Sequence, residues 1–388
     1  MTMMMMMNAR REEVDSRLLR LCRALPKVEL HAHLNGCVRP STLLELAEEC
    51  SRRGLLSLSD FQAAVIVKED RSMEECFQLF GLIHLLTTDH CILTRITKEV
   101  IEDFAAENVV YLELRTTPKR NEAVGMTKRS YVEAVLAGIK AASTELSLDS
   151  YFDHKEDNIE CPSQRYQRKA NPQIHVRLLL SIDRRETLEA AMETVHLAWE
   201  MRDLGVVGVD LSGNPCIGDW ETFLPALKWA RQHGLPITLH CGEVPNPREV
   251  EAMLAFQPER VGHACFLESP DLSTLLANRI PVEICLTSNL LTNSVQRVRD
   301  HHFGALYNAN HPVVLCTDDP GVFSISLSYE YALVSTHFGL SSLELLHLSR
   351  NAIEFTFAED RLKQMLQSFF DGAKYAAECQ CFQFSGVP

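Results

Sequence analysis

Two histidines stand one residue apart in Val28-Glu29-Leu30-His31-Ala32-His33-Leu34-Asn35, at the end of a short apolar run. Residues two apart on a β-strand point to the same face, so His31 and His33 aim their imidazoles at one point. Neutral imidazole is the commonest zinc ligand, and a same-face pair supplies half of a tetrahedral site. On its own the pair could equally be a hydrogen-bonded surface couple. Two further residues change that balance: His240 closes the run Pro236-Ile237-Thr238-Leu239, and Asp318 closes Val313-Val314-Leu315-Cys316-Thr317. Three histidines and an aspartate, His31, His33, His240 and Asp318, form a coherent set for one Zn2+ per chain. Zinc lowers the pKa of water to about 7, which makes a nucleophile available at neutral pH.

The titratable residues that remain suit acid–base work. Glu243 lies three residues beyond His240 and can reach a bound substrate without touching the metal. A carboxyl kept protonated there would donate a proton to a ring nitrogen. His263 and Asp319 can orient the attacking oxygen and share its proton. Each has a plainer reading: His263 as a satisfied core histidine, Asp318-Asp319-Pro320-Gly321 as a turn, Glu243 as a first-turn helix carboxylate. Taken jointly, each at the end of its own strand, they favour a metal active site.

The elements that must position them follow a repeating grammar of helix, short β-branched run and polar residues. After the opening strand the runs cover residues 109–115, 174–183, 206–211, 236–240, 260–263, 282–286 and 313–318, which makes eight. Helical spacing of apolar residues predicts an N-terminal helix over 12–24 and others over 41–53, 73–88, 94–108, 128–146, 186–204 and 221–233. Three more stretches, 324–338, 341–357 and 359–378, follow the last strand, while 54–72 reads as loop. Eight buried strands alternating with helices, with polar residues at their carboxyl ends, predict a (β/α)8 TIM-type barrel of the α/β class. It carries an N-terminal helix and extra C-terminal helices, and no linker divides the chain into domains. Residues 149–173 break the grammar, being polar and aperiodic where such a connection usually takes about 2–6 residues. They read as a disordered insertion on the amino-terminal face, and residues 1–10 as a disordered N-terminus.

Bulk properties limit the partners. The net charge of −14 argues against nucleic-acid or anionic-membrane binding, which needs a cationic surface. Thirteen cysteines without framework spacing read as reduced thiols of a cytosolic protein. The methionine run Met3 to Met7 gives way at once to charge, unlike a secretory signal, and no apolar run is long enough for a membrane span. A monomer acting on a small molecule is expected.

Several segments, in order along most of the chain, resemble the adenosine/AMP deaminase family of the amidohydrolase superfamily. They are Pro26-Lys27-Val28-Glu29-Leu30-His31-Ala32-His33-Leu34-Asn35-Gly36, Asp210-Leu211-Ser212-Gly213-Asn214-Pro215, His240-Cys241-Gly242-Glu243, Gly262-His263 and Thr317-Asp318-Asp319-Pro320-Gly321-Val322-Phe323. The resemblance implies a zinc barrel that hydrolytically removes the 6-amino group of a purine. It implies zinc ligands at His31, His33, His240 and Asp318, a proton donor to purine N1 at Glu243, His263 beside the attacking oxygen, and Asp319 as its partner. Gly213 matches the position whose backbone approaches purine N3. Cys285-Leu286-Thr287-Ser288-Asn289 and Asp300-His301-His302-Phe303, among other stretches, are similar to a branch acting on N6-substituted AMP. Contacts to a purine nucleotide substrate are then implied for His33, Asn35, His84, Arg115, Thr116, Thr117, Pro118, Asp183 and Asp319. Arg115 with the Thr116 and Thr117 hydroxyls would suit a 5′-monophosphate, although an ion pair with a neighbouring acid serves Arg115 equally well. The 149–173 insertion, the methionine run and the tail from Cys379 to Pro388 depart from the family pattern.

Three rival functions remain: a deaminase of the free nucleoside, a binuclear metallohydrolase, and a non-catalytic zinc-binding barrel. A binuclear site usually wants a lysine at the end of strand four, where this chain has Asp210-Leu211-Ser212-Gly213.

Overall fold

The computed structural model describes residues 14–65, 73–87, 89–152 and 174–384. Eight parallel strands run in sequence order around one sheet. They are β1 (Lys27–His33), β2 (Val109–Thr116), β3 (His175–Asp183), β4 (Val206–Ser212), β5 (Ile237–Cys241), β6 (Arg260–His263), β7 (Val282–Ile284) and β8 (Val313–Leu315). A parallel bridge between Ala32 and Asp318 joins the last strand back to the first. The expected (β/α)8 barrel is therefore the fold, with helices packed around the strands.

The strands are near-continuously apolar because both of their faces are covered. Val28, Leu30, Tyr111, Val314 and Cys316 belong to one core cluster with Leu362, Leu366 and Phe370 of the C-terminal helix Asp360–Phe384. A layer of charge lies within the apolar barrel. Glu113, Arg115, Arg260 and Glu283 are wholly buried there. Arg260 donates to Glu283 at 2.6 Å and to Glu113 at 2.5 Å, and Arg115 donates to Glu283 at 2.8 Å. Groups this deep are tolerated because each charge is paired and hydrogen-bonded.

Local departures from the sequence reading have simple causes. Residues 54–72, expected as loop, contain the helix Leu58–Val65, whose Phe61 reaches the core. The helix Lys128–Phe152 runs past residue 146, so 149–152 continue it instead of opening the insertion. The rest of that stretch, 153–173, and residues 1–10 lie outside the described residues. β7 and β8 are three residues long, and the chain turns into site-building backbone where the apolar pattern still read as strand. Among the described residues no helix is long and apolar enough to cross a membrane.

Candidate active site

At the carboxyl ends of β1, β5 and β8 the barrel brings His31, His33, His240 and Asp318 together, one donor atom from each lying within 4.8 Å of the others. Asp318 donates its N–H to the His31 carbonyl at 2.8 Å, and its own carbonyl accepts from the His33 N–H at 3.1 Å, so barrel closure itself aligns these ligands. Asp318 Oδ1 is 3.4 Å from both His31 Nε2 and His33 Nε2, and the His33 and His240 Nε2 atoms are 3.1 Å apart. Ligands at zinc distance on tetrahedral corners stand about 3.3 Å apart, so this spacing fits one ion. His31 Nε2 is buried with no hydrogen-bond partner. Behind it, His31 Nδ1 faces Glu283 at 2.6 Å, and His240 Nδ1 faces Asp210 at 3.0 Å. Carboxylates in those places keep the proton on Nδ1 and turn the Nε2 lone pair inward. The donor set therefore fits zinc.

Glu243, His263 and Asp319 border the same space. Burial raises the Glu243 carboxyl above its usual range. Burial and the adjacent Asp318 raise Asp319 well above its own. Burial holds His263 well below the usual imidazole range. His263 Nε2 lies 3.6 Å from Glu243 Oε1, beyond hydrogen-bond range. His263 and Asp318 both sit at positive φ, +63° and +66°. Strained non-glycine backbone of this kind gathers at functional sites.

The walls of the cavity include His33, Asn35, His84, Thr116, Thr117, Asp183 and Gly213 as expected. Asn35 already donates to Thr87 at 2.6 Å, and the Thr116 hydroxyl pairs with Tyr131 at 2.7 Å. Gly213 has φ +99°, and a Cβ there would come within 2.9 Å of Asp183.

Arg115 also lines the cavity, but its charge is engaged by acids inside the barrel. Its guanidinium is fully buried between Glu283 and Asp210, 2.8 and 3.4 Å away, and donates to the Leu30 carbonyl at 2.5 Å. Strand alternation explains this: Tyr111, Glu113 and Arg115 share the inward face of β2, and the acids in the barrel claim the cation. Pro118 lies outside the main cavity, in an adjoining depression that shares Thr117, Asp183 and Arg185 with it and adds Lys119.

Sequence reasoning passed over Glu283, Asp210, Ser288, Lys119 and Arg185. Ser288 donates to Asp318 Oδ2 at 2.7 Å. Arg185 grips Asp183 at 2.5 Å, and burial pushes the Lys119 amine down to about 7. A lone glutamate in the apolar run Val282-Glu283-Ile284 was a usable signal; Ser288 stood within a stretch that carries the resemblance, but its contact with Asp318 shows only in the fold.

Comparisons with known proteins agree with this geometry. The adenosine deaminase family profile matches residues 26–372. An N6-mAMP deaminase of Arabidopsis thaliana is 59% identical over 350 residues, covering 90% of this chain and 97% of its own. The N6-methyl-AMP deaminase of Bos taurus is 41% identical over 88% of this chain and 93% of its own. The crystal structure of Arabidopsis ADAL complexed with IMP superposes with a TM-score of 0.83 at 56% identity, covering 91% of this chain and 98% of that one. With eight strands in order, a His/Asp group at their ends that could hold a metal and a family match along most of its length, the chain belongs to the adenosine deaminase family of hydrolytic deaminases.

Proposed function

We propose that the protein is a zinc-dependent deaminase that converts N6-methyl-AMP, or a related N6-substituted AMP or dAMP, with water to IMP and an alkylamine. The observation that carries this reading is the placement of Glu243, His263 and Asp319 around one cavity beside a four-atom donor set. The relatives named above support the nucleotide. His31, His33, His240 and Asp318 would hold the zinc, which when bound supplies a water nucleophile at neutral pH. Glu243, whose proton affinity burial raises, donates to purine N1 as water adds to C6, which moves charge off the ring. Asp319, the carboxyl beside Asp318, accepts a proton from the incoming water and passes it to the departing amine. The Gly213 backbone leaves room for the purine edge. Lys119 and Arg185, at the mouth, take over the 5′-phosphate role expected of Arg115. The nine cysteines whose side chains are described are unpaired, which supports a cytosolic location.

The test offers N6-methyl-AMP, AMP and adenosine at equal concentration to zinc-loaded protein. Turnover of N6-methyl-AMP far above the other two supports the reading. The withdrawal of Arg115 gives the nucleoside alternative its one footing: preference for adenosine, with Lys119→Ala silent, would establish it. Silence on all three with zinc bound would leave a barrel without this activity.

A further inference from the structure

The group behind each imidazole decides which ring nitrogen carries the proton. Behind His31 and His240 stand carboxylates, which only accept. His263 differs. Its Nδ1 lies 3.1 Å from Asn289 Nδ2. The orientation of that amide is settled two residues away. Asn289 Oδ1 is 3.1 Å from His301 Nε2, and His301 Nδ1 is 3.0 Å from the backbone nitrogen of Phe303. A backbone N–H can only donate, so His301 Nδ1 accepts and the His301 proton sits on Nε2. That proton goes to Asn289 Oδ1. The amide must then present its N–H to His263 Nδ1, which accepts, and neutral His263 keeps its proton on Nε2.

Burial makes the chain of inference binding. His263, Asn289 and His301 are each 3% exposed or less, so bulk water offers no competing partner. His302 donates from Nε2 to the His263 carbonyl at 2.7 Å, holding the backbone of the same residue. His263 Nε2 itself is buried with no hydrogen-bond partner, its N–H kept for something that enters the cavity. His263, Cys285 and Asp318 also place donor atoms within 4.8 Å of one another, so geometry alone does not bar His263 from binding metal. The proton on Nε2 does.

We propose that Asn289 and His301 are positioning residues that fix the tautomer of His263, so that it meets the incoming oxygen as a hydrogen-bond donor through Nε2–H. It is then neither a metal ligand nor a general base. The part of this concerning the reaction rests on the function proposed above; the tautomer does not.

The test is nitrogen-15 spectroscopy of the histidine rings in zinc-loaded, full-length protein, with His263 assigned by comparison with His263→Gln. A pyridine-like Nδ1 and a pyrrole-like Nε2 are expected, and the reverse would overturn the proposal. Asn289→Asp puts an acceptor where the donor was, so Nδ1 should become protonated; an unchanged Nδ1 signal would refute the coupling. Kinetics give a second arm without a change of charge. His301→Gln can still accept from the Phe303 N–H and donate to Asn289, so kcat on N6-methyl-AMP should stay within about twofold of the parent. His301→Leu frees the amide, and kcat should fall at least about tenfold with KM little changed, as for loss of an aligned donor. Equal impairment of both variants, or of neither, would count against the relay. If the expected spectrum appears without turnover of N6-methyl-AMP, the tautomer stands and the assigned substrate fails.

Discussion

Glu243 shows how much one side chain owes to its surroundings. In water its carboxyl would be ionised at neutral pH; burial raises its affinity for the proton, the direction that the proposed acid role requires. Glu243→Gln keeps the shape and removes the transferable proton, so zinc content by elemental analysis should stay at one per chain. Turnover should drop by about 10²–10⁴-fold, and near-normal turnover would dismiss Glu243 as the donor. Arg115 teaches the converse. Arg-Thr-Thr at a strand end reads as an anion cradle, yet an inward-facing arginine in a closed barrel answers first to the acids inside. Against burial, Arg115 and Arg260 hold Glu283 well below the usual carboxylate range. Arg115→Met would leave Glu283 and Asp210 short of a counter-charge, a loss of about 3–5 kcal/mol for breaking such a network. Denaturant titration should show that loss, and KM should change no more for nucleotide than for nucleoside. A selective loss of nucleotide affinity would restore the phosphate role.

At the scale of elements, the barrel and its order were legible because parallel strands buried on both faces leave an apolar signature with polar ends. β6 was read to the residue. The short ends of β7 and β8 were not legible, since Cys285 and Thr317 continue the apolar pattern while the backbone has already left the ladder. The residues proposed as metal ligands and acid–base groups, which the fold brings together, stood out at strand ends, whereas Asn289 and His301 meet His263 only through tertiary folding. A further constraint lies in the short helical turn Leu34–Cys37 after β1. A Cβ on Gly36 would fall 1.6 Å from Asp319 Oδ1, so the turn can approach the Asp319 carboxyl only with glycine there. Gly36→Ala must push the Asp319 side chain aside. Overpacking of this kind costs about 1–3 kcal/mol, so the variant should still fold. Its kcat should fall at least about tenfold while zinc content is kept. Undiminished kcat would show that Asp319 need not be held at that spot.

Across the whole molecule, the buried charges set how stability follows pH. Glu330, on the helix Leu327–Phe338, is fully buried and pairs its carboxyl with the hydroxyl and the N–H of Thr287. Burial pushes it up to about 8 despite those hydrogen bonds. Between the unfolded value of 4.5 and about 8 the native state therefore binds the extra proton. The contribution is fully present below the unfolded value and is lost as pH rises through about 8, at up to about 1.4 kcal/mol per unit. Lys27 works in the opposite sense: burial lowers it from 10.5 to about 7, so the unfolded state binds more protons across that window and stability recovers as pH rises. Glu330→Gln mimics the protonated carboxyl, since the amide can donate to the Thr287 oxygen and accept from its N–H. Thermal melts from about pH 5 to about pH 8.5 should show a declining Tm for the parent and a flatter line for the variant. At the alkaline end the variant should melt higher by on the order of a few degrees. Parallel lines across that range would mean that Glu330 titrates alike in the folded and unfolded chains, and that its burial is offset by partners other than Thr287.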